Sequence, residues 1–554
     1  MIRFRPIPKS NDTGGSSQPR LGGGALVPLV RCLIWAVWSV GLASLTDGRL
    51  AGQDVGRTES VEELDQAAIL WQFGKTGGES ESNGYYHLQF SPNGRFLAAR
   101  NRDNMVEIHD VQKRVQLCEV GGHESRILQV DFSPDSKFFV TAAPGVGEST
   151  KVWESETGQR VKTLPIDTVC ARFSRDGREL ILLGDGEVHR FDWPSGTPLP
   201  SRTWGNEADQ PMAVSRDGLL VASYRSIQNQ HYQCQVSDIE EDSHVMLDGP
   251  TFQPRSLKFS ENQQWLAATF ARDAKVCLWD LNDPRQLKFQ LDGHDQTVQS
   301  IAFSADNRFL VSTSWDKTSI VWDLLTRQPV KRIRGHTEYV NSSAFSPQGG
   351  RLATGASGET DSSVILWDLA QFLFPREAKP VSADSFAETW DALGSVFAEK
   401  SLGALNDLRA SFEQVGSQVE DQIGTLNSMV SVDQLRAWIR DLDDPSFAVR
   451  ERATLQLQKS RGPADLLLQE AMRTTTSAEM RYRLTRILKT ELTRPKTSLT
   501  ELRRLHRSVF LLELVNSTMS RKLLHSIATQ HPHIDVARDA AAALRRLDIN
   551  PVAE

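Results

Sequence analysis

Cysteine is scarce in this chain. The five in 554 residues are Cys32, Cys118, Cys170, Cys234 and Cys277. Their spacing fits neither a zinc site nor a redox pair, and a chain this long is no disulfide-stapled mini-domain. The four after Cys32 are expected as small core residues. Phosphate-binding chemistry is missing too. The "GKT" at Gly74 to Thr76 lacks the upstream glycine of a P-loop. The sequence offers no metal-ligand cluster and no nucleophile elbow, so no cofactor is expected. A net charge of -7 gives no whole-chain footprint for nucleic acid. Long apolar runs are absent apart from one near the N-terminus, which excludes a polytopic membrane protein.

That run is Cys32 to Leu45, uncharged, behind a leader carrying Arg3, Arg5, Lys9, Arg20 and Arg31 against one acid, Asp12. A basic leader before a run of this length has the shape of a secretory signal. Cleavage after Ala43, Gly48 or Gly52 is one outcome. The other is an uncut signal anchor over residues 25–45, with Arg31 snorkelling. Residues 1–52 are therefore expected to be a targeting segment. Either outcome places the body outside the cytoplasm: periplasm, cell surface or secreted.

A short phrase then recurs: "FSPNGR" at Phe90, "FSPDSK" at Phe132, "FSRDGR" at Phe173, "VSRDGL" at Val214, "FSENQQ" at Phe259, "FSADNR" at Phe303 and "FSPQGG" at Phe345. Each leads into an apolar run and then a second strand, as in "VWD" ending at Asp323 and "LWD" ending at Asp368. Alternating apolar residues bounded by Gly, Asp, Asn and Ser read as short antiparallel strands with tight turns. With "GH" early and "WD" late in the repeat, the segment resembles the WD-repeat family. The resemblance implies a seven-bladed β-propeller over residues 60–372. The seventh repeat stops three strands into its blade, and "AAILWQF" before the first phrase is expected to complete it.

His294, Ser312, Asp316 and Trp322 mimic a catalytic set, as do His336, Thr354, Asp361 and Trp367. Because they recur at similar offsets, they are assigned to structure. In WD-repeat proteins the matching positions form a buried hydrogen-bond chain, in line with the need of buried polar groups for partners. The fifth repeat keeps Thr269, Asp273 and Trp279 but has Pro250 where His would stand. The second has His123 and Trp153 without the Asp. Counting back from each phrase gives a channel rim. Its candidate partner-binding residues are Arg126, Arg255, Gln299, Trp315, Tyr339 and Asn341, and exposed Trp, Tyr and Arg are hot-spot types.

After a linker at residues 373–385 the spacing becomes helical. Leu408, Phe412, Val415, Val419, Ile423 and Leu426 fall on one face, read as a helical hairpin over 386–430. Short amphipathic helices over 431–550, with the phrase "FAVRERAT", resemble HEAT or armadillo repeats. The combination resembles bacterial exported WD-repeat proteins with such a tail. Residues 432–550 carry 21 Lys and Arg against 14 Asp and Glu, leaving the propeller region acidic. Intramolecular docking of the basic tail on the acidic propeller follows as an expectation. Nothing supplies base-reading motifs, so nucleic acid is not an expected partner. The leading functional reading is a non-enzymatic scaffold for protein partners. Its alternatives are a carbohydrate- or small-ligand-binding propeller and a cytoplasmic adaptor or regulatory subunit of an enzyme.

Overall fold

The computed structural model describes residues 65–549 except 77–83, 146–149, 185, 205–208, 228–230, 282–283, 285, 427–431, 460–466, 469–470, 473–474, 476, 490–497 and 532–533. The expected leader, with its 25–45 run, lies outside them. The chain folds into seven four-stranded antiparallel sheets. The first strand, β1 (Ile69–Thr76), is held back for the last sheet. Blade 1 follows as β2 (His87–Phe90), β3 (Phe96–Arg100), β4 (Val106–Asp110) and β5 (Val115–Val120). Blades 2 to 4 are β6–β9, β10–β13 and β14–β17, within 129–164, 170–203 and 209–246. Blades 5 and 6 are β18–β21 within 254–292 and β22–β25 within 298–334. Blade 7 joins β26 (Tyr339–Phe345), β27 (Arg351–Ser357) and β28 (Asp361–Asp368) to β1. The antiparallel pairing of β1 with β28 runs from Ile69–Trp367 to Thr76–Asp361, and β26 meets β2 to close the ring.

The recurring phrase has a physical cause. Its serine hydroxyl accepts the backbone N–H five residues on, at 2.9–3.0 Å, in six blades: Phe96 to Ser91, Phe138 to Ser133, Glu179 to Ser174, Leu220 to Ser215, Trp265 to Ser260 and Phe309 to Ser304. The same hydroxyl donates to the Asp or Asn two residues on, as from Ser133 to Asp135 at 2.6 Å. The turn needs a left-handed residue next. Gly94, Gly177, Gly218 and Gly349 fill that place in four blades, and Ser136, Gln263 and Asn307 in the others. The phrase is thus a clamp on the turn between the first two strands of a blade. Cys170, Cys234 and Cys277 are buried and Cys118 is half-buried, none in a disulfide.

Ten helices follow among the described residues: α1 (Leu369–Leu373), α2 (Phe386–Ala392), α3 (Ala398–Ala410), α4 (Phe412–Leu426), α5 (Val432–Asp441), α6 (Phe447–Lys459), α7 (Ala478–Lys489), α8 (Leu499–Val515), α9 (Thr518–Gln530) and α10 (Ile534–Ile549). Residues 386–426 thus form three helices where the spacing predicts a two-helix hairpin. Ser411 interrupts the run between α3 and α4, and its hydroxyl accepts the Val381 N–H at 2.9 Å. The predicted apolar face still buries Leu408, Phe412, Val415, Val419 and Ile423.

The helices sort into two packing groups. Leu435, Ile439, Ala453, Leu457, Leu484 and Ile487 form a core among α5, α6 and α7. The other group shares one core with blades 6 and 7: Phe309, Ile333, Leu352 and Trp367 join Phe372, Leu405, Val419, Val509 and Leu524. Polar contacts bind it further. Arg308 Nη1 lies 2.6 Å from Glu513 Oε2, and Arg546 Nε lies 2.7 Å from the other oxygen. Arg507 of α8 pairs with Asp323 of blade 6. Burial alone would raise the Glu513 pKa, yet Arg308 and Arg546 push it down to about 2. Arg308 also covers the ring of Phe510, 4.4 Å from its centroid. No helix among the described residues is long and apolar enough to cross a membrane.

Candidate functional site

The polar sets are the first candidates for chemistry. In blade 6, β23 (Phe309–Ser314) carries Ser312 and β24 (Thr318–Asp323) carries Trp322. Trp322 Nε1 donates to Ser312 Oγ at 2.8 Å. Ser312 Oγ also lies 2.8 Å from His294 Nε2, and His294 Nδ1 lies 2.8 Å from Asp316 Oδ2. Asp316 Oδ2 accepts the Asp295 N–H as well, at 3.0 Å. The indole N–H has only a proton to give and the carboxylate only accepts, so Ser312 Oγ accepts from Trp322 and His294 Nδ1 donates to Asp316. Burial works to raise the Asp316 pKa, but the hydrogen bond and charge of His294 hold it below the usual carboxylate range. Blade 7 repeats the arrangement. Trp367 Nε1 donates to Thr354 Oγ1 at 2.8 Å, His336 Nε2 sits 2.8 Å from that hydroxyl, and His336 Nδ1 lies 2.9 Å from Asp361. In blade 2, His123 and Trp153 both reach Thr141, at 2.9 and 3.0 Å.

Blade 5 departs from the sequence expectation. Thr269 is not the counterpart of Ser312. In β19 (Trp265–Phe270), Ala268 pairs with Leu257 as Ser312 pairs with Ile301, whereas Thr269 matches Thr313. Counting back ten residues from the tryptophan lands on the wrong strand face, because the β19–β20 turn holds one residue more than the β23–β24 turn. Side chains alternate along a strand, so one residue moves the hydroxyl to the opposite face. Among the described residues, Thr269 Oγ1 is buried without a hydrogen bond, as is Thr313 Oγ1. Trp279 Nε1 donates instead to the Asp248 carbonyl at 2.8 Å.

In blades 6 and 7 the glycine before the histidine explains why "GH" and the tryptophan travel together, whereas a Cβ on Gly122 of blade 2 would meet nothing within 4 Å. A Cβ on Gly293 would stand 2.8 Å from the Trp322 ring, and one on Gly335 2.4 Å from the Trp367 ring. Gly249 has the same relation to Trp279, at 2.9 Å, even though Pro250 replaces the histidine.

The rim candidates gather at the strand ends where Asp316 also stands. Trp315 follows β23, Tyr339 opens β26, and Arg255 lies in β18 (Pro254–Phe259). The Trp315 and Tyr339 ring centroids are 5.7 Å apart, tilted by 41°. The Arg255 guanidinium lies over the Trp315 ring at 5.5 Å. Tyr339 is 41% exposed, while Trp315 and Arg255 are half-buried. One cluster therefore bridges blades 5, 6 and 7. Gln299 and Asn341 are half-buried, and Gln299 Nε2 has no hydrogen-bond partner among the described residues. Arg126 belongs to a second cluster: both Arg126 and Arg100 approach the Tyr86 ring at 5.3 Å. Sequence reasoning missed Arg100. The signal was there in "FLAAR", where the strand ends in Arg at the position of Thr269, Thr313 and Gly355 in blades 5 to 7.

The tail contacts and the rim lie at opposite ends of β23. Arg308, which meets Glu513, precedes the strand, and Trp315 follows it.

The family model described as WD domain, G-beta repeat matches residues 114–154, 242–280, 285–323 and 327–368. The propeller is of the WD-repeat type. Apoptotic protease-activating factor 1 of Rattus norvegicus is 23% identical over 347 residues, covering 55% of this chain and 27% of that protein. The WD repeat-containing protein 26 homolog of Drosophila melanogaster is 24% identical over 299 residues, 51% of this chain and 45% of its own length. WD repeat and SOCS box-containing protein 1 of Danio rerio is 36% identical over 117 residues, 21% of this chain and 26% of its own. The chain thus spans less than half the length of each of these relatives. WD-repeat propellers generally bind protein partners and generally act as non-enzymatic scaffolds.

Proposed function

We propose that the chain is an interaction scaffold whose partner docks on the rim formed by Arg126, Arg255, Gln299, Trp315, Tyr339 and Asn341. The observation that carries this reading is the cluster of Arg255, Trp315 and Tyr339, contributed by three successive blades. Aromatic and arginine side chains at a water-facing mouth supply large contact area at little entropic cost. Changing Trp315 and Tyr339 together to Ala is expected to weaken partner capture by at least about 2 kcal/mol, near thirtyfold, with the melting transition almost unchanged. A stability loss above about 2 kcal/mol would assign the pair to the core instead.

The reading extends to the rest of the chain. The tail docks on blades 6 and 7 through a shared apolar core and ion pairs of both polarities, Arg507 to Asp323 and Glu513 to Arg308, and leaves the rim to the partner. Successive pairing of α5 with α6 and of α9 with α10 supports a HEAT- or armadillo-like stack over 431–550. The basic leader and the Cys32 to Leu45 run support export of the body, with or without cleavage. A reporter enzyme active only outside the cytoplasm, fused after residue 60, should be active. An inactive reporter at full expression removes the export reading and leaves a cytoplasmic adaptor.

A further inference from the structure

Blade 1 breaks a pattern that blades 5 to 7 keep. At one register position of the inner strand pair, blades 5, 6 and 7 place small residues opposite each other: Ser256 with Thr269, Ser300 with Thr313, and Ser342 with Gly355. Blade 1 places His87 opposite Arg100. Arg100 is 4% exposed, and its Nε has no hydrogen-bond partner. Among the described residues neither Arg100 nor Arg126 makes a side-chain hydrogen bond or ion pair, and each has the face of Tyr86 instead. An arene face attracts a cation but does not replace a counter-charge, so holding Arg100 this way out of water is costly, whereas Arg126 is exposed.

The surroundings add positive charge. Burial, and then the charges of Lys258, Arg100 and Arg126, push the His87 pKa down to about 3, so this imidazole is neutral. The Arg255 pKa is lowered by burial and then by Arg126. Geometry joins the two clusters: Tyr86, which Arg100 and Arg126 both approach, bonds Ser357, and Ser357 pairs with Tyr339 of the aromatic pair beside Arg255. Tyr86 adds a donor: its oxygen accepts from Ser357 Oγ at 2.7 Å, which leaves the phenolic proton to give.

We propose that this mouth is an oxyanion site, in which Arg100 and Arg126 take a carboxylate of an acidic peptide segment lying across the rim. Tyr86 Oη donates to the same group, and Trp315 and Tyr339 cover the segment's neighbouring side chain. Two guanidinium groups present several N–H donors at fixed angles, the geometry that suits a carboxylate. The acidic balance of the propeller region repels such a segment elsewhere, so the local cations also choose where it lands. The assignment rests on reading the rim as the partner surface.

The test uses the full chain and a fluorescein-labelled hexaglutamate peptide with an amidated end, with hexaglutamine as control and inorganic phosphate as a separate probe. Saturable binding of hexaglutamate but not hexaglutamine is expected, weakened at least about tenfold by Arg100→Met and by Arg126→Met. The melting temperature of Arg100→Met should hold or rise, since an unpaired buried charge is removed. If Arg100→Met does not fold, Arg126→Met carries the test, because that side chain is exposed. Equal binding of the two peptides, or undiminished binding by Arg126→Met, overturns the proposal. So does a lower melting temperature of Arg100→Met with binding intact, which makes Arg100 a packing partner of Tyr86. Phosphate raising the wild-type melting temperature without hexaglutamate binding also overturns it, in favour of a free-phosphate site. Partner capture separates the two readings. Loss in the Trp315 and Tyr339 double variant but not in Arg126→Met leaves the rim standing and removes the oxyanion site. Capture unaffected by either variant removes the rim reading.

Discussion

Blades 5 and 6 are neighbours with the same strand count, the same turn clamp and the same buried tryptophan, yet only blade 6 has the polar chain. In blade 6 the indole N–H passes to Ser312, His294 and Asp316. In blade 5 Ala268 and Pro250 replace the hydroxyl and the imidazole, and the Trp279 N–H goes to a backbone carbonyl. What both retain is the glycine under the tryptophan ring, Gly249 and Gly293. The comparison teaches that the ring-on-glycine contact stands without the polar chain. The polar chain is an addition whose members depend on one another, because each satisfies a buried group of the next.

That dependence can be broken at its centre. Ser312→Ala removes the acceptor of Trp322 and the partner of His294 Nε2 together, and is expected to cost about 2–4 kcal/mol in denaturant unfolding. The equivalent position in blade 5 is already Ala268, so Ala268→Gly should cost only about 1 kcal/mol by loss of strand preference. Asp316→Ala strips the end of the chain and should cost about 1–3 kcal/mol.

Asp316 also gives the comparison a pH axis. Its pKa is held below the ordinary carboxylate value. Its stabilising contribution is therefore present above about pH 3.9 and fades as the pH falls through the folded-state value. Acid titration of Asp316→Asn, followed by tryptophan fluorescence, should show a shallower loss of stability below pH 4 than the wild type. The smallest effect belongs to blade 5. Thr269→Val replaces a buried hydroxyl without a partner and should change stability by about 0–1 kcal/mol, in the stabilising direction. A loss above about 1 kcal/mol would mean that the hydroxyl has a partner after all.

The sequence made the ring legible because each blade repeats a chemical need. The Ser-and-Asp clamp and the Gly-and-Trp contact are local, and local chemistry leaves a word in the text. This is why seven blades can be counted from the phrases, although the family model matches four segments. The candidate site was legible only where it followed that count, as with Trp315 and Tyr339. Thr269 was misplaced because a turn longer by one residue changes strand face without changing any motif. Arg100 was missed because its burial and its meeting with Tyr86 and Arg126 depend on three different strands or loops. The junction of Arg308 with Glu513 spans 205 positions, and no periodicity reports such a pair.

The closing strand has a consequence in time. Gln72 of β1 and Ser363 of β28 share a hydrogen bond of 3.1 Å, yet stand 291 positions apart. On a ribosome adding about 5–20 residues per second, β1 waits on the order of 15–60 s for its partner strand. Throughout that interval an exposed strand of the sequence ILWQFGKT must avoid every other unpaired edge the growing chain presents. The last blade is therefore the slowest to finish and the most open to pairing with a neighbouring chain, and completing it converts an open row of sheets into a ring without a seam.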